Sequence, residues 1–240
     1  MACINCKTNF EGQFCPSCGE KKDIERITFG SMIESVFSGF VNMDKGLLFN
    51  IKNLTLYPQK TILQYIKGKR KYILSPISYA IVTISVYIII TSLLKKAPSE
   101  LKVGLGKLGE QGELGRFQQM GYKTGGFLIE KLKYFWLLQA VFLSVFSKLF
   151  FKRFNFFEHL AINSFIVGHA TLVAIIVRIF YRGEIIVFNF LVFIYMIFLM
   201  YKVFGKTNNK FETITMSSLI VLFAYILFMG LPFTIANYIS

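Results

Sequence analysis

Long apolar runs separated by short polar breaks dominate the second half of the chain. Such runs predict membrane-spanning helices, because about 20 apolar residues of helix are needed to cross the hydrocarbon core of a bilayer. The spans are predicted at about 73–94, 134–151, 159–180, 185–204 and 214–239. The pattern therefore predicts an all-α integral membrane bundle of about five transmembrane helices, which occupies residues 72–240.

Amphipathic juxtamembrane helices are predicted ahead of the first span, in residues 27–71. Ile33, Val36 and Phe37 recur at the three- and four-residue spacing of one helix face. Pro58 ends one helix and begins the next, since proline is tolerated in a first turn but not in a helix interior. Two alternatives remain open for these helices: they lie on lipid, or they pack on the cytosolic ends of the spans.

A hydrophilic, glycine-rich segment at 95–133 joins the first two spans and is expected to form a loop. Five spans after a cytosolic N-terminus place this loop and the C-terminus outside. The basic residues of the loop would fit the inner side better, so its side of the membrane stays open.

All four cysteines lie within residues 1–22, as two C-x-x-C pairs. The pairs are Cys3/Cys6 and Cys15/Cys18, and they can face each other to offer four thiolates to a tetrahedral Zn²⁺. Four protein ligands leave no open coordination position, so we expect a structural ion in a small zinc ribbon. A disulfide framework is disfavoured because no secretory signal precedes the cysteines. A redox pair is disfavoured because no thioredoxin-like βαβ pattern follows.

The formal charge of +14 indicates an anionic partner, either nucleic acid or lipid. Basic residues flank the apolar spans, which favours anionic lipid headgroups over nucleic acid. Four of them directly precede the first span and predict a lipid-facing basic patch that anchors this side in the cytosol. They are Lys67, Lys69, Arg70 and Lys71.

Polar side chains inside the predicted spans are a second candidate site, because burying them in lipid is costly. His169, Asn163 and Asn189 lie in or near two spans. Such groups either line an ion path or form interhelical hydrogen bonds that fix packing. No phosphate-binding loop, zinc-protease motif or nucleophile elbow is present, so we expect no enzyme.

Several short motifs in the first third of the chain also form a recognisable set. They are the two C-x-x-C pairs with Gly19-Glu20-Lys21, Asp44-x-Gly46, Tyr57-Pro58, and the run from Tyr65 to Pro76. Together they resemble an uncharacterised bacterial membrane family, domain of unknown function 3667, over residues 1 to about 80. The resemblance implies a zinc-ribbon cap on a multi-span domain and supplies no activity. In architecture alone, the five-span plan is similar to that of Yip-type trafficking proteins.

The sequence therefore leads to one main expectation and one alternative. We expect a non-enzymatic adaptor in the bacterial inner membrane that uses a cytosolic zinc ribbon to bind a protein partner. The alternative is an oligomeric channel or small transporter, a homo-oligomer in which His169 and the intramembrane asparagines face a lumen.

Overall fold

The computed structural model describes residues 2–22, 26–41, 43–94, 132–180, 186, 189–205 and 209–239. Eight α-helices lie in these ranges: α1 (Phe29–Val41), α2 (Met43–Leu56), α3 (Pro58–Ile66), α4 (Pro76–Leu93), α5 (Leu138–Phe150), α6 (Phe156–Phe180), α7 (Phe190–Phe204) and α8 (Lys210–Ile239). No β-strand occurs among the described residues, which confirms the all-α class. Most of the loop predicted at 95–133 lies outside them.

Among the helices of the described ranges, three are long and apolar enough to cross a membrane: α4, α6 and the Lys210–Gly230 part of α8. The helices α5 and α7 are apolar but contain 13 and 15 residues. They extend over about 20 and 22 Å, less than the ~30 Å hydrocarbon core. The structure thus supports an integral membrane protein with three candidate spans, and the prediction of five is not confirmed. Both of these helices begin later than the predicted spans, at Leu138 after the 3₁₀ turn Leu132–Phe135 and at Phe190 after the Asn189 cap.

The most buried of the candidate spans is α6, and α4 packs along it in the same direction. Near the start of α4, the Tyr79 hydroxyl lies 2.8 Å from Nδ1 of His169. Near its end, the Tyr87 hydroxyl accepts a hydrogen bond from the Ile186 N–H at 3.0 Å, just beyond α6. The two helices approach closely at Gly168, where a Cβ would lie 2.9 Å from the Cα of Ala80.

The short helix α5 runs opposite to α6. Ser147 Oγ lies 2.9 Å from Nδ1 of His159 at one end, and Trp136 Nε1 donates to Thr171 Oγ1 at 3.2 Å at the other. Trp136 is fully buried. Helix α7 is also antiparallel to α6, and α8 closes the bundle against α5 and α7.

The helices α1–α3 pack against the bundle. Asn50 of α2 donates to the Leu74 carbonyl at 3.0 Å, and Tyr65 of α3 meets Phe165 of α6 edge-to-face at 5.4 Å. Met32 of α1 and Ile62 of α3 are buried in the same core cluster. The inner faces of α1–α3 therefore pack on the spans. This is one of the two alternatives that the sequence left open.

Candidate metal centre

The first C-x-x-C pair forms a tight turn closed by backbone hydrogen bonds. The Cys3 N–H donates to the Thr8 carbonyl at 2.9 Å, and the Lys7 N–H donates to the Cys3 carbonyl at 3.1 Å. An isolated antiparallel bridge between Ala2 and Asn9 closes the base of the turn. This arrangement holds both cysteine side chains on one side of the backbone.

The second pair repeats the same plan. The Cys15 N–H donates to the Glu20 carbonyl at 2.9 Å, and the Gly19 N–H donates to the Cys15 carbonyl at 2.7 Å. A bridge between Phe14 and Lys21 closes this turn. The ribbon is therefore two copies of one metal-binding turn, as its sequence spacing predicted.

The two turns bring their four sulfurs together. All four Sγ atoms lie within 4.8 Å of one another. Across the turns, Cys6 and Cys15 are 3.4 Å apart, and Cys3 and Cys18 are 3.6 Å apart. A tetrahedral ion with metal–sulfur bonds of about 2.3 Å places its sulfurs about 3.8 Å apart. The four cysteines can therefore hold one metal ion, and a thiolate set of this kind suits zinc or iron.

Local hydrogen bonds favour the thiolate form at the first turn. The hydroxyl and N–H of Thr8 lower the pKa of Cys6 to about 6, and the N–H of Cys6 lowers the pKa of Cys3. The N–H of Glu20 also lowers the pKa of Cys18, but burial and the other sulfurs raise it to about 11 overall. A cation at the centre of the cluster would remove this repulsion, because metal ligation stabilises the thiolate directly.

Lys7 and Gly19 occupy equivalent positions, and both have φ of 70°. This left-handed conformation suits glycine and costs an ordinary L-residue about 1–2 kcal/mol. The first turn therefore carries a strain that the second does not.

Replacing Lys7 with glycine should stabilise the ribbon by about 0.5–1 kcal/mol. The change removes the backbone strain at position 7, but part of this gain is lost because glycine raises the conformational entropy of the unfolded chain. Since ribbon folding and metal binding are linked, apparent metal affinity should rise about two- to fivefold, measured by competition with a chromophoric chelator. Gly19→Ala is the matched control and should lower it. Weaker metal binding by Lys7→Gly would contradict the assignment of strain to position 7.

The second turn packs on the segment that leads into α4. Glu20 is only 5% exposed, and its Oε2 accepts a hydrogen bond from the Lys71 N–H at 3.2 Å. The Lys71 Nζ lies 2.8 Å from the place where a Cβ on Gly19 would be. Glycine at this position therefore permits both the backbone turn and the close passage of the lysine.

A second attachment follows the ribbon. Arg26 makes a bidentate ion pair with Glu158 at the start of α6, with both N···O distances 3.1 Å. Asn155 caps α6 through a reciprocal capping box with Glu158 and donates to the Ile27 carbonyl at 3.2 Å. The linker after the ribbon is thus fixed to α6. The capping-box spacing of Asn155 and Glu158 was readable in the sequence, but the partner Arg26 was not.

The four residues of the predicted basic patch have different surroundings. Arg70 lies over the ring of Tyr65 at 5.3 Å, and Lys71 passes the ribbon at Gly19. Lys67 is exposed, whereas Lys69 is half-buried. Contact of these residues with anionic lipid stays a prediction.

The three predicted intramembrane polar residues bond to different neighbours. His169 lies 2.8 Å from the Tyr79 hydroxyl and 3.2 Å from Thr55 Oγ1, which joins α6 to α4 and α2. Asn163 donates to Ser144 and Ser147 of α5 at 3.1 and 2.9 Å, and the Asn189 side chain caps α7. The structure does not bring the three together as one site. Their contacts fit interhelical bonding and helix capping.

A further buried histidine, His159, was not predicted from the sequence as a hydrogen-bonded polar group. Nδ1 of His159 faces Ser147, and its Nε2 lies 2.8 Å from the Phe151 carbonyl. Nε2 therefore carries the proton and donates to that carbonyl, while Nδ1 accepts from the serine hydroxyl. The position of this residue at the end of an apolar run gave no signal of such a partner.

Comparison with known families adds one result. Residues 44–88 match the family described as a protein of unknown function (DUF3667). The matched segment contains nearly all of α2, the whole of α3, the loop under the ribbon and most of α4. It confirms the resemblance seen in the motifs of this region. No curated protein and no solved structure matches the chain.

Proposed function

We propose that this protein is a non-enzymatic adaptor of the bacterial inner membrane, with its N-terminus cytosolic, its C-terminus outside and a structural Zn²⁺ in its ribbon. The observation that carries the proposal is the position of the ribbon. Its second turn is attached to the segment that leads into α4, and most residues of its first turn are exposed.

The donor set supports zinc as the resident ion. Four thiolates in two equivalent turns complete a tetrahedral shell without an open position. Zinc supplies the ribbon with folding free energy rather than with reaction chemistry. Iron is the competing ion for four thiolates, and visible absorption distinguishes it from colourless zinc.

The exposed part of the ribbon supports a role in binding. Phe14 is 59% exposed and Ile4 is 39% exposed, although both belong to a domain whose small core needs apolar residues. Apolar side chains left on the surface of so small a domain suit a protein partner. The attachments at Glu20 and Arg26 hold this surface in one orientation, which lowers the entropic cost of binding.

Further support for a non-enzymatic role comes from the buried histidines. Both ring nitrogens of His159 and of His169 lie within hydrogen-bonding distance of protein groups. Neither residue presents a free nitrogen to a substrate. Both histidines hold helices together, which is the usual role of buried polar groups in a helical bundle.

The test is purification in mild detergent of wild type beside two variants, with bound metal, mass and co-purifying proteins recorded for each. Ile4→Ser/Phe14→Ser should keep one equivalent of zinc and lose at least nine-tenths of a stoichiometric partner. Glu11→Gln, also exposed on the ribbon, is the matched control and should keep both.

A partner retained in full by Ile4→Ser/Phe14→Ser would contradict the proposed binding surface. A wild-type protein without any stoichiometric partner, but with a fixed oligomeric mass and ion conductance in liposomes, would overturn the adaptor in favour of the channel.

A further inference from the structure

Helix α1 carries a stripe of large apolar side chains on its outer face. Phe29, Ile33 and Phe37 are 61%, 43% and 71% exposed. Their four-residue spacing places them on one side of the helix. The side that faces the bundle holds Met32, which is buried. The helix is therefore apolar on two sides, and only one of them is covered by the described part of the chain.

Contacts near both ends of the stripe join α1 to the start of α6 and to the start of α4. At its start, the ring of Phe29 lies 6.1 Å from the ring of Phe157. Seven residues later, the Val36 carbonyl accepts from Ser78 Oγ at 3.2 Å, close to where α4 meets Gly168. The rise of α6 from Phe157 to Gly168 is about 16 Å, near half of the ~30 Å hydrocarbon core.

The charges around α1 fit the depth of one leaflet. Glu34 is the single charged residue in Phe29–Val41, whereas a helix that faces water carries charge across its outer surface. Arg26, just before α1, has an exposed guanidinium paired with the buried Glu158. An arginine in this position marks the boundary between water and lipid.

Exposed apolar stripes also occur elsewhere on the bundle. Helices α4 and α6 both qualify as spans by length and hydropathy, so a helix that packs on the first part of α4 lies at bilayer level. On α5, four exposed residues form a similar stripe over its whole length: Leu138, Val141, Val145 and Leu149. The outer face of α1 is therefore a second exposed apolar stripe of the same kind.

We propose that α1 is a half-span helix whose stripe of Phe29, Ile33 and Phe37 docks on the acyl chains of the leaflet nearest the ribbon. Helix α4 begins only near the level of Gly168 on α6. Helix α1 packs on the start of α4 and touches α6 at Phe157, and its stripe extends the lipid-facing wall of the bundle there.

Added tryptophans test this proposal in the full-length, metal-loaded protein. Phe29→Trp and Phe37→Trp are reconstituted in vesicles of phosphatidylcholine and phosphatidylglycerol with dibrominated acyl chains. Trp136 is fully buried and gives a constant background. Phe14→Trp, on the exposed ribbon, is the matched control. Bromolipid should quench the added indoles of the stripe at least threefold more than that of the control, and aqueous iodide should show the opposite order.

Quenching of the stripe indoles by iodide as strong as that of Phe14→Trp would show that the face lies in water. Protection from both quenchers would show that protein covers it. Either result overturns the proposal. Ile33→Trp provides a third position on the stripe if one of the other variants fails to fold.

Discussion

The Cys15→Ser/Cys18→Ser variant should lose its metal and unfold its ribbon while the helical bundle stays intact. The ribbon's buried apolar cluster consists of Cys3, Phe10 and Cys15, with Cys18 packed against it. One phenylalanine cannot offset the entropy of ordering the ribbon. Structural zinc supplies about 10–16 kcal/mol in zinc-finger peptides, so removing two ligands should cost most of the folding free energy. Bound metal should fall from one equivalent to below a tenth.

Limited proteolysis measures the structural effect. Trypsin should cut the variant at Lys7 and Lys21 at least tenfold faster than wild type, while far-ultraviolet circular dichroism of the bundle stays within error. Chelator-treated wild type should reproduce this pattern, and Glu11→Gln should not. A ribbon that resists trypsin without metal would show that its contacts with Lys71 and Glu158 are sufficient to fold it.

Gly168→Leu should destabilise the bundle by about 3 kcal/mol or more. A Cβ at this position would lie 2.9 Å from the Cα of Ala80 and 3.0 Å from the ring of Tyr79. The first of these atoms is backbone, so α4 and α6 must separate along their extensive contact. Overpacking of this kind costs about 1–3 kcal/mol for small additions, and leucine adds three further carbons.

Thermal unfolding in detergent, followed by circular dichroism, measures this effect. Gly168→Ala should show a smaller loss of about 1–3 kcal/mol. Gly230→Ala is the matched control in α8, because a Cβ there would meet no atom within 4 Å. That change should be neutral or stabilise by up to about 1 kcal/mol. Equal effects at positions 168 and 230 would contradict the close approach of α4 and α6.

Local signals in the sequence predicted the ribbon and several helix ends well. The cysteine spacing determines the two turns because each turn is built from residues close in the chain. Pro58 begins α3, and α4 (Pro76–Leu93) lies within the predicted span at 73–94. The span predicted at 159–180 is the helix Phe156–Phe180 in the structure. The helix begins three residues earlier than predicted because Asn155 caps its start.

Contacts between distant residues could not be predicted in this way. Arg26 and Glu158 are separated by 132 positions, and Thr55 and His169 by 114. Hydropathy gives the number of apolar residues but not the helix that covers them. It therefore identified α4 as a span but gave no sign that α1 packs on it. It likewise treated the polar residues of the spans as candidates for one site, although each bonds to its own neighbour.

The pairing of sulfurs across the two turns makes the ribbon sensitive to the redox state of its compartment. Each cysteine of the first turn has a close neighbour in the second, Cys3 with Cys18 and Cys6 with Cys15. In a reducing compartment these four thiolates are free to share one ion. In an oxidising compartment the same neighbours would be the first to join as disulfides, and no ligand would remain for the metal. The intact mass of the protein from cells would therefore show on which side of the membrane the ribbon lies. A bound metal ion would indicate a reducing compartment, and the loss of the thiol hydrogens to disulfides would indicate an oxidising one.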